Sequence, residues 1–100
     1  ASVIIVDESC SAADLVAKTA NFFKHESCGK CTPCREGTHR MHEMMERLNH
    51  GHAKAGDLDN LERLGTVMTK ACLCGLGQAA PSPVLTTLKH FKPEYAAKLN

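Results

Sequence analysis

The sequence predicts an all-α fold: a small four-helix bundle with an orphan N-terminal β-strand. Three observations predict it. Apolar residues recur at helical spacing in four stretches after Ser11. Cap and breaker residues separate these stretches by short connections, as in a bundle. Only Ser2-Val-Ile-Ile-Val6-Asp7 reads as a strand, a β-branched run stopped by an acid.

That strand is expected to lack a partner. A lone strand leaves its backbone donors and acceptors unpaired. It should therefore belong to a sheet outside this chain, in a larger protein or at the sheet edge of another subunit. The chain divides accordingly into residues 1–10, strand and linker, and residues 11–100, the helical domain.

Ser11-Ala-Ala-Asp14 has the form of a capping box and opens the first helix. Leu15, Val16, Thr19, Phe22 and Phe23 share one face, to about Glu26. After a cysteine loop, Thr32 is read as N-cap and Pro33 as N1 of the second helix. Met41, Met44, Met45 and Leu48 form its apolar stripe, and Gly51 ends it. Methionines at this spacing fill core gaps more often than they line a binding groove.

A polar connector leads to Asp57 or Asp59, read as the cap of a third helix carrying Leu58, Leu61, Leu64, Met68 and Ala71. Cys72 to Gly77 reads as a loop. Ser82-Pro83 opens the fourth helix, with Val84, Leu85, Leu88 and Phe91 at helical spacing, and Pro93 breaks or kinks it.

Composition narrows the function. Twelve basic and eleven acidic residues give a net charge of +1, which argues for no nucleic acid and no acidic membrane surface. Three Phe, one Tyr and no Trp offer little for base stacking. Val3–Val6 is too short for a signal core or membrane insertion. Six cysteines without a secretory signal point to metal or redox chemistry in a reducing, cytoplasmic setting.

Cys28-Gly-Lys-Cys31-Thr-Pro-Cys34 returns a thiol at every third residue, and Cys72 and Cys74 follow much later. A cubane iron–sulfur cluster carries one iron at each of four corners, and each takes a thiolate. A loop with this step can lay three thiolates over three corners, so the fourth must come from a remote segment. One alternative is zinc, which gathers its sulfurs at about 2.3 Å, usually from two separate Cys-x-x-Cys knuckles. Another is a thiol–disulfide pair at Cys28 and Cys31, although that motif normally follows a strand. Spacing ranks the cluster first, zinc second and thiol redox third.

Of the distal thiols, Cys74 is favoured as the fourth ligand. Gly75 and Gly77 follow it and would let backbone N–H groups approach a cofactor. Cys72 continues the apolar side of the third helix and reads as a small buried hydrophobe. Cys10 reads as structural. Cys34 falls in the first turn of the second helix, where the dipole favours an anion. Lys30 and Arg35 flank the ligands and would raise a reduction potential; equally, they would suit a solvated surface.

Several motifs fail in context. Gly75-Leu-Gly77-Gln-Ala-Ala80 matches a dinucleotide fingerprint in letters but follows a helix, not a strand. Glu36-x-x-His39 is half of a di-iron pattern with no second copy. His25, His39, His42, His50, His52 and His90 read as scattered surface histidines. No nucleophile–base pair suggests hydrolysis.

Glu26-Ser-Cys28-Gly-Lys-Cys31-Thr-Pro-Cys34-Arg-Glu-Gly37 resembles the cluster motif near the C-terminus of the NADH-binding flavoprotein subunits of respiratory complex I. It is closer still to their counterparts in NAD(P)-linked hydrogenases and formate dehydrogenases. Cys74-Gly-Leu-Gly77-Gln-Ala-Ala-Pro-Ser-Pro83 resembles the segment bearing that family's fourth ligand, and Val3–Asp7 resembles its last strand before the helical domain.

The resemblance implies a [4Fe–4S] cluster on Cys28, Cys31, Cys34 and Cys74. It implies electrons arriving from FMN, which NADH reduces in a flavoprotein domain or subunit, and leaving to another iron–sulfur subunit. Residues 1–10 would be the end of that flavoprotein domain, which this sequence does not contain. NAD(P)H oxidation is therefore not expected of this chain alone. Cys72 is extra to the family pattern.

Overall fold

The computed structural model describes residues 3–54 and 56–97. Six helices follow in order: α1 (Ala12–Glu26), α2 (Thr32–Asn49), α3 (Asp57–Ala71), α4 (Gly75–Ala79), α5 (Ser82–His90) and α6 (Lys92–Ala96). The four long helices are the four expected. The two short ones are additional to that expectation. α4 forms inside the segment that reads as a loop, and α6 is what remains of the last helix, which breaks at Phe91 (φ −124°, ψ 33°), two residues before the Pro93 expected to break it; Pro93 lies in the first turn of α6.

The orphan strand does not form. No strand occurs among the described residues, and Val3, Ile4 and Ile5 stand in solvent at 87%, 75% and 91% exposure. A strand exists through its ladder of hydrogen bonds, and this chain offers Val3–Val6 no edge to pair with. Ser2 lies outside the described residues.

The caps also differ from expectation. Ser11 is the N-cap of α1, but its hydroxyl makes no cap hydrogen bond, and its Oγ is buried without a partner. Asp14 pairs with Lys18 at 3.4 Å instead of closing the box. The Ala12 N–H is met from outside the helix, by Glu94 Oε1 of α6 at 3.4 Å. At α3 the N-cap is Gly56. Asp57, nearly buried, faces back into the connector: Lys54 N–H donates to its Oδ2 at 3.0 Å and Arg47 Nη2 at 3.3 Å. Cys31, not Thr32, is the N-cap of α2, and Pro81, not Ser82, that of α5.

α1 packs along α2, α2 on α3, and α5 closes against α1 and α3. Met41, Met45, Leu48, Leu61, Met68 and Val84 are all at or below 1% exposure, so the stripe of α2 is core apart from Met44, which packs half-buried against it. Phe22, expected on the apolar face of α1, is instead 58% exposed. Tyr95 in α6 is fully buried and shares a 2.7 Å hydrogen bond with Thr87 Oγ1. Glycines let helices approach: a Cβ on Gly37 would lie 2.7 Å from Met68 Sδ, and one on Gly65 would lie 2.8 Å from Leu85.

Candidate metal centre

The packing of α1 on α2, and of α2 on the α3–α4 turn, brings two cysteine segments together. α1 ends at Glu26, and Ser27 closes it with its N–H on Phe23 O at 3.0 Å. Gly29 then takes φ +76°, a left-handed conformation that a side chain would strain. Arg35 holds this loop from α2. Its Nη1 donates to Gly29 O at 2.7 Å and its Nη2 to Thr32 Oγ1 at 3.3 Å. Arg35 is thus more than a solvated charge, since its guanidinium fastens the loop and places a cation beside the thiols.

Cys31 sits at the N-cap of α2, and Cys34, buried, lies in the first turn. On the far side, Cys72 ends α3 with its N–H on Met68 O at 3.1 Å, and Cys74 is the N-cap of α4. The two segments touch directly. The Leu73 N–H, and then the Cys34 N–H, point at the Cys31 sulfur and hold its thiol below the usual range.

Cys28, Cys31, Cys34 and Cys74 all line one cavity of about 150 Å³, walled by Leu73 and Leu76 and rimmed by Lys30 and Glu26. All four residues singled out by the sequence are therefore in one place. Cys28 and Cys74 are exposed, Cys31 is half-buried and Cys34 is buried. Among the described residues, no three His, Cys, Asp or Glu side chains converge on a point as one metal ion requires. Four thiols set around an apolar space suit a bulky thiolate-bound group better than a single ion.

Cys72 is in a different situation. It does not line the cavity; it is buried, and its thiol is pushed up to about 11, first by burial and then by the neighbouring Cys34 and Cys31. The two glycines after Cys74 differ in their surroundings. A Cβ on Gly77 would lie 2.6 Å from Cys72 Sγ and 3.1 Å from Cys34 Cβ, whereas one on Gly75 meets only open space. Gly77 makes room for Cys72. Gln78 secures the same turn through Nε2 to Cys72 O at 3.0 Å. Cys10 is exposed and free, remote from any buried structural role.

Residues 14–98 match the iron–sulfur binding region of NADH-ubiquinone oxidoreductase-F. The chain belongs to this family. Its cofactor is accordingly an iron–sulfur cluster of the [4Fe–4S] type, and its role lies in electron transfer. The chain is 37% identical over 99 residues to the 51 kDa subunit of mitochondrial NADH-ubiquinone oxidoreductase of Aspergillus niger. It is 39% identical over 94 residues to the mitochondrial NADH dehydrogenase [ubiquinone] flavoprotein 1 of Dictyostelium discoideum. Identity is 37% over 98 residues to the NADP-reducing hydrogenase subunit HndC of Solidesulfovibrio fructosivorans.

These alignments cover 99%, 94% and 98% of this chain but only 20% of each relative. The chain thus spans about one fifth of the length of the curated relatives it matches. Among solved structures, an NAD+-reducing [NiFe]-hydrogenase in the H2-reduced state superposes with a TM-score of 0.91 at 37% identity, over 95% of this chain and 17% of that one. The Aspergillus and Solidesulfovibrio relatives are, by their names, subunits of larger oxidoreductases.

One grouping is not evident from the sequence. His39, His42, His50 and His52 look scattered along it, yet they line one surface groove with Lys24, Glu43 and Glu46. Their spacing along α2 is the available signal; the fold-back of the connector, with His52 N–H on Arg47 O at 2.9 Å, is not readable from the letters. Glu46 faces both His42 (3.4 Å) and His50 (4.0 Å). Burial, then the charge of Lys24, hold His42 below the usual histidine range against the pull of Glu46. Among the described residues, no helix is long and apolar enough to cross a membrane.

Proposed function

We propose that this protein holds its [4Fe–4S] cluster on Cys28, Cys31, Cys34 and Cys74 and relays single electrons between FMN and a neighbouring iron–sulfur subunit. The host would be an NAD(P)H-linked oxidoreductase or hydrogenase in the cytoplasm. Residues 1–10 would be the strand and linker that join this helical domain to a flavoprotein domain, where FMN and NAD(P) bind. The observation that carries this reading is the gathering of those four thiols, from two distant segments, around one 150 Å³ cavity.

The bound cluster supplies one-electron storage, and the chain's own residues do the rest. The Leu73 and Cys34 N–H groups favour the thiolate form of Cys31 that ligation needs. Arg35 fixes the Cys28–Thr32 loop and, with Lys30, offsets the negative charge that four thiolates bring. Leu73 and Leu76 keep water from part of the cavity.

The reading predicts a brown, anaerobically prepared protein with about four iron and four sulfide per chain. Cys74→Ser should abolish or convert the cluster, and Cys72→Ser should leave iron and sulfide unchanged. The reverse pattern overturns the ligand assignment. A colourless protein holding a single divalent ion overturns the function in favour of a structural zinc domain for subunit contacts.

A further inference from the structure

We infer that the Ser27 hydroxyl donates a hydrogen bond to the Cys34 sulfur and thereby raises the one-electron potential of the centre held there. The inference rests on the cluster reading above and extends it to a residue outside the ligand set. Ser27 Oγ lies 3.2 Å from Cys34 Sγ. Geometry alone allows either atom to donate. Ligation removes that ambiguity, since a cysteine bound to iron has no proton and the hydroxyl must be the donor.

A second contact positions the hydroxyl. Gly29 N–H donates to Ser27 Oγ at 3.3 Å, which occupies one oxygen lone pair while the hydroxyl hydrogen stays available to the sulfur. The backbone of Ser27 is held as well, by its N–H on Phe23 O at 3.0 Å. Gly29 O is gripped by Arg35 Nη1 at 2.7 Å. The donor is therefore positioned from both sides before any cofactor arrives.

The effect on potential follows from charge. A hydrogen bond to a ligand sulfur stabilises the state with more negative charge on that sulfur, which is the reduced one. Cys34 is the buried member of the set, where water competes least for its lone pairs. The Cys31 sulfur is held chiefly by backbone N–H groups, which substitution cannot remove, with a smaller contribution from the Cys72 side chain. Among the described residues, no other hydroxyl bonds a cysteine sulfur. Ser27 is thus a positioning and tuning residue, acting on a ligand sulfur through a hydrogen bond where Lys30 and Arg35 act through charge.

The test is a spectroscopic redox titration of the cluster-loaded protein, with Ser27→Ala and Ser27→Thr beside the wild type. Iron and sulfide are assayed first. A wild type without about four of each refutes the cluster itself and is read separately from the Ser27 result. At a fixed solution potential, Ser27→Ala should lower the reduced-to-oxidised ratio by about three- to tenfold, the upper figure being 59 mV for one electron. Ser27→Thr, which keeps the hydroxyl, should restore the wild-type ratio. A loaded Ser27→Ala protein with an unchanged midpoint overturns the inference. If Ser27→Ala fails to load, loading by Ser27→Thr at the wild-type potential supports the hydroxyl. Failure of both variants makes Ser27 a packing residue and overturns the inference.

Discussion

At Gly77 an added methyl group would collide with two atoms of one side chain, 2.6 Å from Cys72 Sγ and 2.7 Å from its Cβ. The Cβ cannot swing away as a chain end could, so α3 and α4 must separate. Overpacking of this kind typically costs about 1–3 kcal/mol. Gly77→Ala should therefore lower the midpoint of thermal unfolding, and it should also reduce iron incorporation, because Cys34 Cβ is 3.1 Å from the same point. Unchanged stability and iron content would show that the α3–α4 turn yields freely. The triplet Cys28, Cys31 and Cys34 is legible in the sequence because a three-residue step is a local property. The role of Gly77 is not, because the atom it accommodates belongs to another helix terminus.

Helix termini follow the same division between local and distant causes. Start signals place all four long helices within a residue or so, yet most of the expected caps prove to be something else. Ser11 does hold the N-cap position of α1, but its buried hydroxyl bonds nothing while Glu94 meets the Ala12 N–H. Ser11→Ala should change unfolding free energy by less than about 0.5 kcal/mol, against the roughly 1 kcal/mol lost when a working cap is removed. A loss of the larger size in urea unfolding would restore the capping box. Asp57 is likewise drawn from the α3 terminus by Lys54 and Arg47. Letters can nominate a cap, but the competing donors come from elements that the local pattern does not see. α4 is hidden for a related reason: five residues give too little periodicity to register as a helix.

Across the whole molecule, the cysteine cavity sits at the edge of one continuous core, which includes Cys34 and Cys72 and against which Cys31 and Leu76 pack. Most of that core lies away from the cavity: Met41, Met45, Leu61, Met68 and Val84 are closed off and do not line it, and the Cα radius of gyration of 12.9 Å is close to the ~13 Å expected for 100 residues. Removing the cluster with a chelator should thus preserve the far-ultraviolet helix signal and slow amide exchange at Met45 and Met68. Exchange at Cys28–Thr32 and Cys72–Gly75 should accelerate, because a link between those segments is gone. Collapse of the helix signal on chelation would instead make the centre part of the folding core. The bundle is readable because its periodicity is strong. The orphan strand misleads because β-branched composition reports a preference, while a strand also needs a neighbour.

The uneven shelter of the four thiols has a practical consequence. Cys34 lies inside, but Cys28 and Cys74 face outward. Oxidation of sulfur follows thiolate character and access, so attack by dioxygen or peroxide would begin at those two corners and bleach the protein from its open side. On the proposed ligation, a protein surface covering that side would shield both thiols, and covering it before exposure to air becomes a condition of keeping the colour.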